Sequence, residues 1–407
     1  MRNQQPIICI ATPRWEGDYL KSTVQLMAEL ALHQPVLYVD YPFTWKDVLQ
    51  GIQGHPHIPW RAVLGLSPRL TSVQASNGAR IHLLRLPPFI PANWVQDAER
   101  YDRIMRWNTK WAARAIRFAM KSLAMADPIV INAFSPALGN FLKGQLDEKM
   151  LVYYCYDEIS AASWLSRHGQ RHEEILLKQA DLTITSSTHL LESKKRFAQR
   201  CVCVKNGVDL SLFRPSAIKN PTTTKRPGQR YFGYIGSVDD RLDGELIRFL
   251  AQSLPSDQFI FVGRITSEPL ANLLRQCPNV RLLGSKPTAE LSHFISSFDA
   301  GLIPFVKNDL TAGIYPLKVN EYLALGKPVV ATNFSDLSDF ESIISIAPDA
   351  KTFLALLEKE LTTDSADKAA ERMRLAQKNS WSNRAAEFAA HLKSTWRELQ
   401  YEPLYFT

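Results

Sequence analysis

Short apolar runs of four or five residues recur along this chain, and most are followed by a turn and then by a stretch with helical spacing. The first is Ile7–Ala11, followed by a loop at 12–18, a helical stretch over 22–32 and a second run, Val36–Val39. A strand–helix–strand opening of this kind predicts a parallel sheet. Residues 41–91 carry many of the prolines and no clear period, which predicts loops and short elements laid over one face. Residues 100–121 have helical spacing, and apolar runs at 129–132 and 151–155 predict strands. A helix is expected around 172–179 and a strand at Leu182–Thr185. Ser186, Ser187 and Thr188 then cap a further helix, and the last strand of this half is expected at 202–205.

The second half repeats the alternation more cleanly. Asn206-Gly207-Val208-Asp209 makes a turn, and 213–228 runs through prolines, threonines and lysines, so 206–228 reads as an interdomain linker. Strands are expected at Tyr231–Ile235, 259–262, 280–283, 301–304 and Val329–Thr332, with helices at Gly244–Ser253, 268–276 and Thr288–Ser297 between them. The chain therefore predicts two doubly wound, Rossmann-like α/β domains facing a cleft, one over 1–205 and one over 229–380. Ligands in such sheets sit outside the carboxyl ends of the strands. In the second half those ends carry Gly236, Gly263, Gly284 and Pro304, residues that turn tightly or let backbone approach a ligand.

Between the last two of these strands lies TAGIYPLKVNEYLALGKPVVAT, residues 311–332. Pro316, Leu317 and Lys318 form a short turn with one cation, and Glu321 comes three residues later on the same helical face. The helix start adds free backbone N–H groups and the positive end of the dipole. A phosphate with a hydroxyl-bearing sugar beside it would suit this arrangement. An ordinary surface turn with an ion pair is the competing interpretation of Lys318 and Glu321.

Composition narrows the class. With 407 residues, 45% hydrophobic and 22% charged, the chain is long enough for two domains with full cores and has the balance of a soluble globular protein. No window approaches the length of a transmembrane span, and the N-terminal MRNQQPIICIATPRW does not have the form of a signal peptide. Cys9, Cys155, Cys201, Cys203 and Cys277 lack framework or zinc spacing, which predicts reduced thiols in a cytoplasmic protein. His168, His172 and His189 form no metal set, so no metal is expected.

The net charge of +8 fits nucleic acid, anionic membrane or anionic substrates. Much of it lies in one helix: Arg100, Arg103, Arg106, Lys110, Arg114, Arg117 and Lys121, interleaved with Trp107, Trp111, Phe118 and Met120. Such a helix either lies on an anionic membrane or is a solvated basic surface helix with its apolar face in the core. No nucleic-acid-binding motif is present, so no nucleic-acid partner is expected.

Several motifs in order resemble one family. Asn206-Gly207-Val208-Asp209 with Phe213 and Pro215 resembles the junction of GT-B glycosyltransferases, especially family 4. Residues 278–284, PNVRLLG, resemble their "PNVxxLG" strand, and 299–304, DAGLIP, their "aDxxLxP" strand. PLKVNEYLALGKPVVAT is similar to their donor-site helix and strand, and its P-x-K-x-x-E-Y-L-A pattern looks like the polysaccharide branch that builds teichuronic-acid-like chains. Asn379-Ser380-Trp381 and the helix after it resemble the terminal segment, here 381–407, that crosses back to the N-terminal domain.

The resemblance implies sugar transfer from a nucleotide diphosphate sugar as donor substrate, with no bound metal and no cofactor. Lys318 would contact the diphosphate and Glu321 the ribose, while Gly17 and Gly236 would bring backbone N–H groups close to the phosphate or sugar. Gly263, Gly284, Pro316 and Leu317 would complete the donor site. Two positions depart from the family. Gly313 stands where a glutamate is usual, and the usual Arg…Lys pair after the first C-terminal strand is missing, with Arg241 the nearest cation.

Glycosyl transfer requires a stabilised leaving diphosphate and, in an inverting enzyme, a base for the acceptor hydroxyl. Asp157, just past the strand at 151–155, is the base candidate, with Glu158 and Asp18 as alternates; capping or ion pairing would equally explain Asp157. The acceptor is expected to be a saccharide or a lipid-linked molecule. The protein is expected in the cytoplasm, with peripheral contact to anionic membrane at the inner face of the plasma membrane. Two rival functions are a sugar-nucleotide epimerase of the same fold and a non-catalytic sugar-nucleotide-binding assembly protein.

Overall fold

The structure is a computed structural model that describes residues 5–17, 21–55, 58–159, 166–214 and 226–401. Among these, one compact unit gathers 5–17, 21–205 and 384–401, and a second gathers 206–383. Asp18 and Pro215 lie outside the described residues.

The first unit runs β1 (Ile7–Ala11), α1 (Ser22–Leu30), β2 (Val36–Val39), α2 (Trp45–Ile52), α3 (Trp60–Val63), β3 (Leu70–Gln74), β4 (Arg80–Leu84), α4 (Ala98–Ser122), β5 (Ile129–Ala133), α5 (Pro136–Leu142), β6 (Met150–Cys155), α6 (Ser166–Gln179), β7 (Leu182–Thr185), α7 (Thr188–Lys194) and β8 (Cys201–Cys203). Its eight strands lie in the order β3-β4-β2-β1-β5-β6-β7-β8, parallel except for the β3–β4 pair. The central strands β1, β2, β5, β6 and β7 are buried along their whole length, which is why β1, β2 and β6 read as unbroken apolar runs.

Residues 41–91 supply the expected short elements, α2, α3, β3 and β4, but two of these are strands of the sheet rather than a cover over one face. Strand β4 pairs with β2 and extends the sheet, and β3 closes its edge. The signal was Asn77-Gly78, with Gly78 at φ +85° and Ala75 bonded to the Ala79 carbonyl at 2.8 Å. The half-exposed LTSVQ of an edge strand hid the period.

The second unit runs β9 (Tyr231–Ile235), α8 (Gly244–Ser253), β10 (Gln258–Val262), α9 (Glu268–Arg275), β11 (Val280–Leu282), α10 (Thr288–Ser297), β12 (Ala300–Ile303), α11 (Asp309–Ala312), α12 (Leu317–Ala324), β13 (Val329–Thr332), β14 (Ser345–Ala347), α13 (Ala350–Thr362) and α14 (Ala366–Lys378). α15 (Trp381–Tyr401) begins in this unit and continues in the first. The sheet order is β11-β10-β9-β12-β13-β14, all parallel. The expected series ended at β13; the structure adds β14, α13 and α14.

Both sheets are doubly wound. In the first the strand order reverses between β1 and β5, in the second between β9 and β12. Those two points are where such sheets open a crevice for ligand.

Candidate functional site

At the reversal point of the second sheet, the loops after β9 and β12 are laced together. Val306 N–H donates to the Arg241 carbonyl (2.8 Å) and Asp243 N–H to that of Pro304 (2.8 Å). The lacing presents the Phe305 ring, and two cations converge on it: the Arg241 guanidinium at 5.8 Å and the Lys318 ammonium at 5.9 Å from its centroid. Lys318 also lies 5.6 Å from the Tyr234 ring. Arg241 is held by Asp239 at 2.6 Å, which fixes where its fork points.

Lys318 and Glu321 are both half-buried at the start of α12, and they do not join in a salt bridge with each other. Burial, reinforced by the Arg241 charge, pulls the Lys318 pKa down to about 8. Burial pushes the Glu321 carboxyl above its usual range, an effect that the Lys318 charge partly offsets. An ammonium and a carboxyl thus stand one helical step apart, the ammonium beside the Tyr234 and Phe305 rings, and each charge partly offsets the other's burial. Pro316 caps α12 without a side-chain hydrogen bond, so the N–H groups of this helix start take no side-chain cap.

Helix α12 is positioned by Tyr322. Its buried hydroxyl accepts from Ile235 N–H at 2.9 Å, tying the helix to the last residue of β9. Its ring fills the place where a Cβ on Gly301 would stand, 2.5 Å away. The glycines at the strand ends are required by close approach. A Cβ on Gly236 would meet the Lys318 Cε at 2.1 Å, and one on Gly263 the Gly236 carbonyl at 2.0 Å. Both have the positive φ that favours glycine, +147° and +155°. Gly284 ends the β11 turn with φ +69° and open space beside it. Gly313 is buried just after α11.

The structure therefore brings Gly236, Arg241, Gly263, Pro316, Leu317, Lys318 and Glu321 to one end of the second sheet. Sequence reasoning missed Phe305, Tyr322 and Asp239. Phe305 had a signal, an aromatic directly after the strand-ending Ile303-Pro304.

The other sequence candidates lie in the first unit. Gly17 has φ +149° and is approached by Lys21, whose ammonium is 2.5 Å from the place of a Cβ and donates to the carbonyls of Arg14 and Glu16. Asp157 is half-buried two residues past β6 and accepts from Glu158 N–H at 2.9 Å. The Glu158 carboxylate is committed to Lys194 (2.8 Å), which also holds buried Glu173 at 2.9 Å. His168 and His172 are buried and bonded to the Val95 carbonyl and to Asp102. Among the described residues no cluster of three or more His, Cys, Asp or Glu side chains could hold a metal ion, and no helix is long and apolar enough to cross a membrane.

Residues 229–362 match the family model for glycosyl transferases group 1. Over 176 residues the chain is 32% identical to TuaH of Bacillus subtilis (strain 168), named as a putative teichuronic acid biosynthesis glycosyltransferase; the match spans 41% of this chain and 44% of that one, less than half of either. By fold the chain is similar to the sucrose-phosphate synthase of Thermosynechococcus elongatus, with a TM-score of 0.72 and 16% identity over 97% of this chain and 100% of that one. Anabaena HepE, solved in complex with UDP and glucose, has a TM-score of 0.66 and 14% identity over 96% and 100%. Residues 229–362 thus carry the likeness to group 1 glycosyl transferases, and the fold of the chain is the GT-B fold of these solved structures.

Proposed function

We propose that this protein moves a sugar from a nucleotide diphosphate sugar to a saccharide or lipid-linked acceptor in the assembly of a cell-surface polysaccharide. The observation that carries this is the pair of cations, Lys318 and Arg241, set over Phe305 at the reversal point of the second sheet. Asp239 balances Arg241, while the half-buried Lys318 ammonium has no salt bridge among the described residues to offset it, and a diphosphate leaving group is an anion that would. Glu321, one helical step from Lys318, accepts hydrogen bonds from ribose hydroxyls. The cations do the charge work that a metal does in other transferases, so turnover requires neither metal nor cofactor and persists in a chelator. Asp157 is the base in an inverting reaction. The reaction takes place in the cytoplasm, at the inner face of the plasma membrane, with peripheral contact to anionic lipid.

Isothermal titration with UDP and other nucleoside diphosphates tests the donor site. Removing a charged hydrogen-bonding partner costs about 1.5–3 kcal/mol, so Lys318→Ala is expected to weaken nucleotide binding by about 10- to 150-fold. Glu321→Ala should weaken binding of the nucleotide more than that of pyrophosphate. Folded variants that bind as tightly as the parent would remove the site. A labelled nucleotide sugar separates the enzymes: a transferase consumes it only with acceptor, an epimerase without.

A further inference from the structure

We propose that the acceptor is an amphiphile drawn from an anionic lipid bilayer, with its apolar segment in a cavity of the first unit and with α2 and α4 docked on the bilayer. This rests on glycosyl transfer as the function and names its acceptor class.

The cavity has a volume of about 360 Å³ and lies at the reversal point of the first sheet, where Thr12 follows β1 and Phe134 follows β5. Phe89, Ile90, Met105, Phe134, Ala137 and Leu138 are among its apolar wall, and Thr12, Thr44, Asn93 and Ser135 add uncharged polar groups. Among the described residues its lining holds one cation, Lys46, and no carboxylate. Asn108, also in the wall, is spent on the Ile90 backbone through two bonds of 2.9 Å. A lining that mixes aromatic and aliphatic side chains with uncharged polar groups and one cation suits an amphiphile, an alkyl or prenyl chain with an anionic head at Lys46. Phe134 holds a left-handed backbone (φ +62°), unfavourable for a bulky residue, and Thr12 Oγ1 donates to its carbonyl at 2.7 Å. Strain of this kind gathers at functional sites.

The walls of the cavity continue outward as an apolar surface. Trp45 N–H donates to the Phe89 carbonyl (3.0 Å), and Asn108 joins α4 to Ile90, so α2, 89–94 and α4 are stitched together. Exposed on them are Trp45, Leu49 and Ile52 on α2, at helical spacing; Ile90 and Trp94; and Trp107, Trp111 and Phe118 on α4. Trp94 is 71% and Phe118 73% exposed. Helix α4 carries seven cations against Glu99 and Asp102, and among the described residues none of the seven meets a carboxylate. An aromatic ridge flanked by uncompensated cations matches an anionic bilayer in both polarity and charge.

The test uses the full chain. Co-sedimentation with phosphatidylcholine vesicles, with and without phosphatidylglycerol, is expected to show binding only with the anionic lipid. That binding should weaken with salt and be lost in Trp107→Ala/Trp111→Ala/Phe118→Ala. In isothermal titration, a short prenyl phosphate should bind more tightly than inorganic phosphate. Ala137→Phe and Met105→Trp, which fill the cavity from two sides, should each weaken it by about tenfold or more while leaving UDP binding and vesicle docking intact. The proposal is overturned if the prenyl phosphate binds no better than inorganic phosphate, if both filled variants bind it like the parent, or if docking ignores lipid charge. Failure of UDP binding with prenyl phosphate binding intact would instead remove the function and leave the cavity assignment standing.

Discussion

Burial and the nearby Arg241 guanidinium both oppose the charge on Lys318, so its side chain titrates at about 8 rather than at the usual lysine value. Only the ammonium form attracts phosphate, so nucleotide affinity is expected to hold below about pH 8 and to fall above it. Binding near that pH should draw in a proton, visible as a dependence of the titration heat on buffer. Lys318→Arg keeps its charge at every accessible pH and should abolish the fall. Asp40 shows the opposite linkage. It is buried, accepts from Trp15 N–H at 2.8 Å, and burial raises its pKa from 3.8 to about 6. The folded state holds this proton more tightly than the unfolded chain does. Stability therefore drops as pH rises through the window from about 4 to about 6, by up to about 3 kcal/mol. Asp40→Asn keeps the acceptor without the charge. Its melting temperature should exceed the parent's above about pH 6 and converge on it below about pH 4; an offset equal at every pH would refute this.

At the scale of elements, α12 is placed by one hydroxyl. Tyr322→Phe leaves the buried Ile235 N–H without its acceptor, at a cost of about 1–3 kcal/mol in denaturant unfolding. Because the same bond fixes where Lys318 and Glu321 stand, nucleotide affinity should fall as well, although Tyr322 touches no ligand. Much of this architecture was legible. Strands such as β1, β9 and β13 are continuous apolar runs because both faces are buried. Lys318 and Glu321 could be paired from spacing alone, since a helix fixes which residues share a face. The platform was not legible. The two cations meet over Phe305 through cross-loop hydrogen bonds between 241–243 and 304–306, and no local pattern encodes pairing across about sixty residues of sequence. Strand β3 escaped for a different reason: at an edge it shows water on both sides and loses the alternation that betrays a half-buried strand.

Across the whole molecule, the division of labour is chemical. The second unit carries the two cations and the acid set beside them. The first carries an apolar cavity and, among the described residues, every large apolar side chain left exposed. Single exposed leucines are unremarkable, but eight large apolar side chains, four of them tryptophans, exposed on stitched elements are more than a soluble surface normally shows. In handling, this surface should make the protein adhesive. Kept free of lipid, it should self-associate as concentration rises, and mild detergent below its micelle concentration should return it to a single species in light scattering. The triple alanine variant of α4 should stay monodisperse without that help. Purification without an amphiphile would then be selecting against the form of the protein that docks.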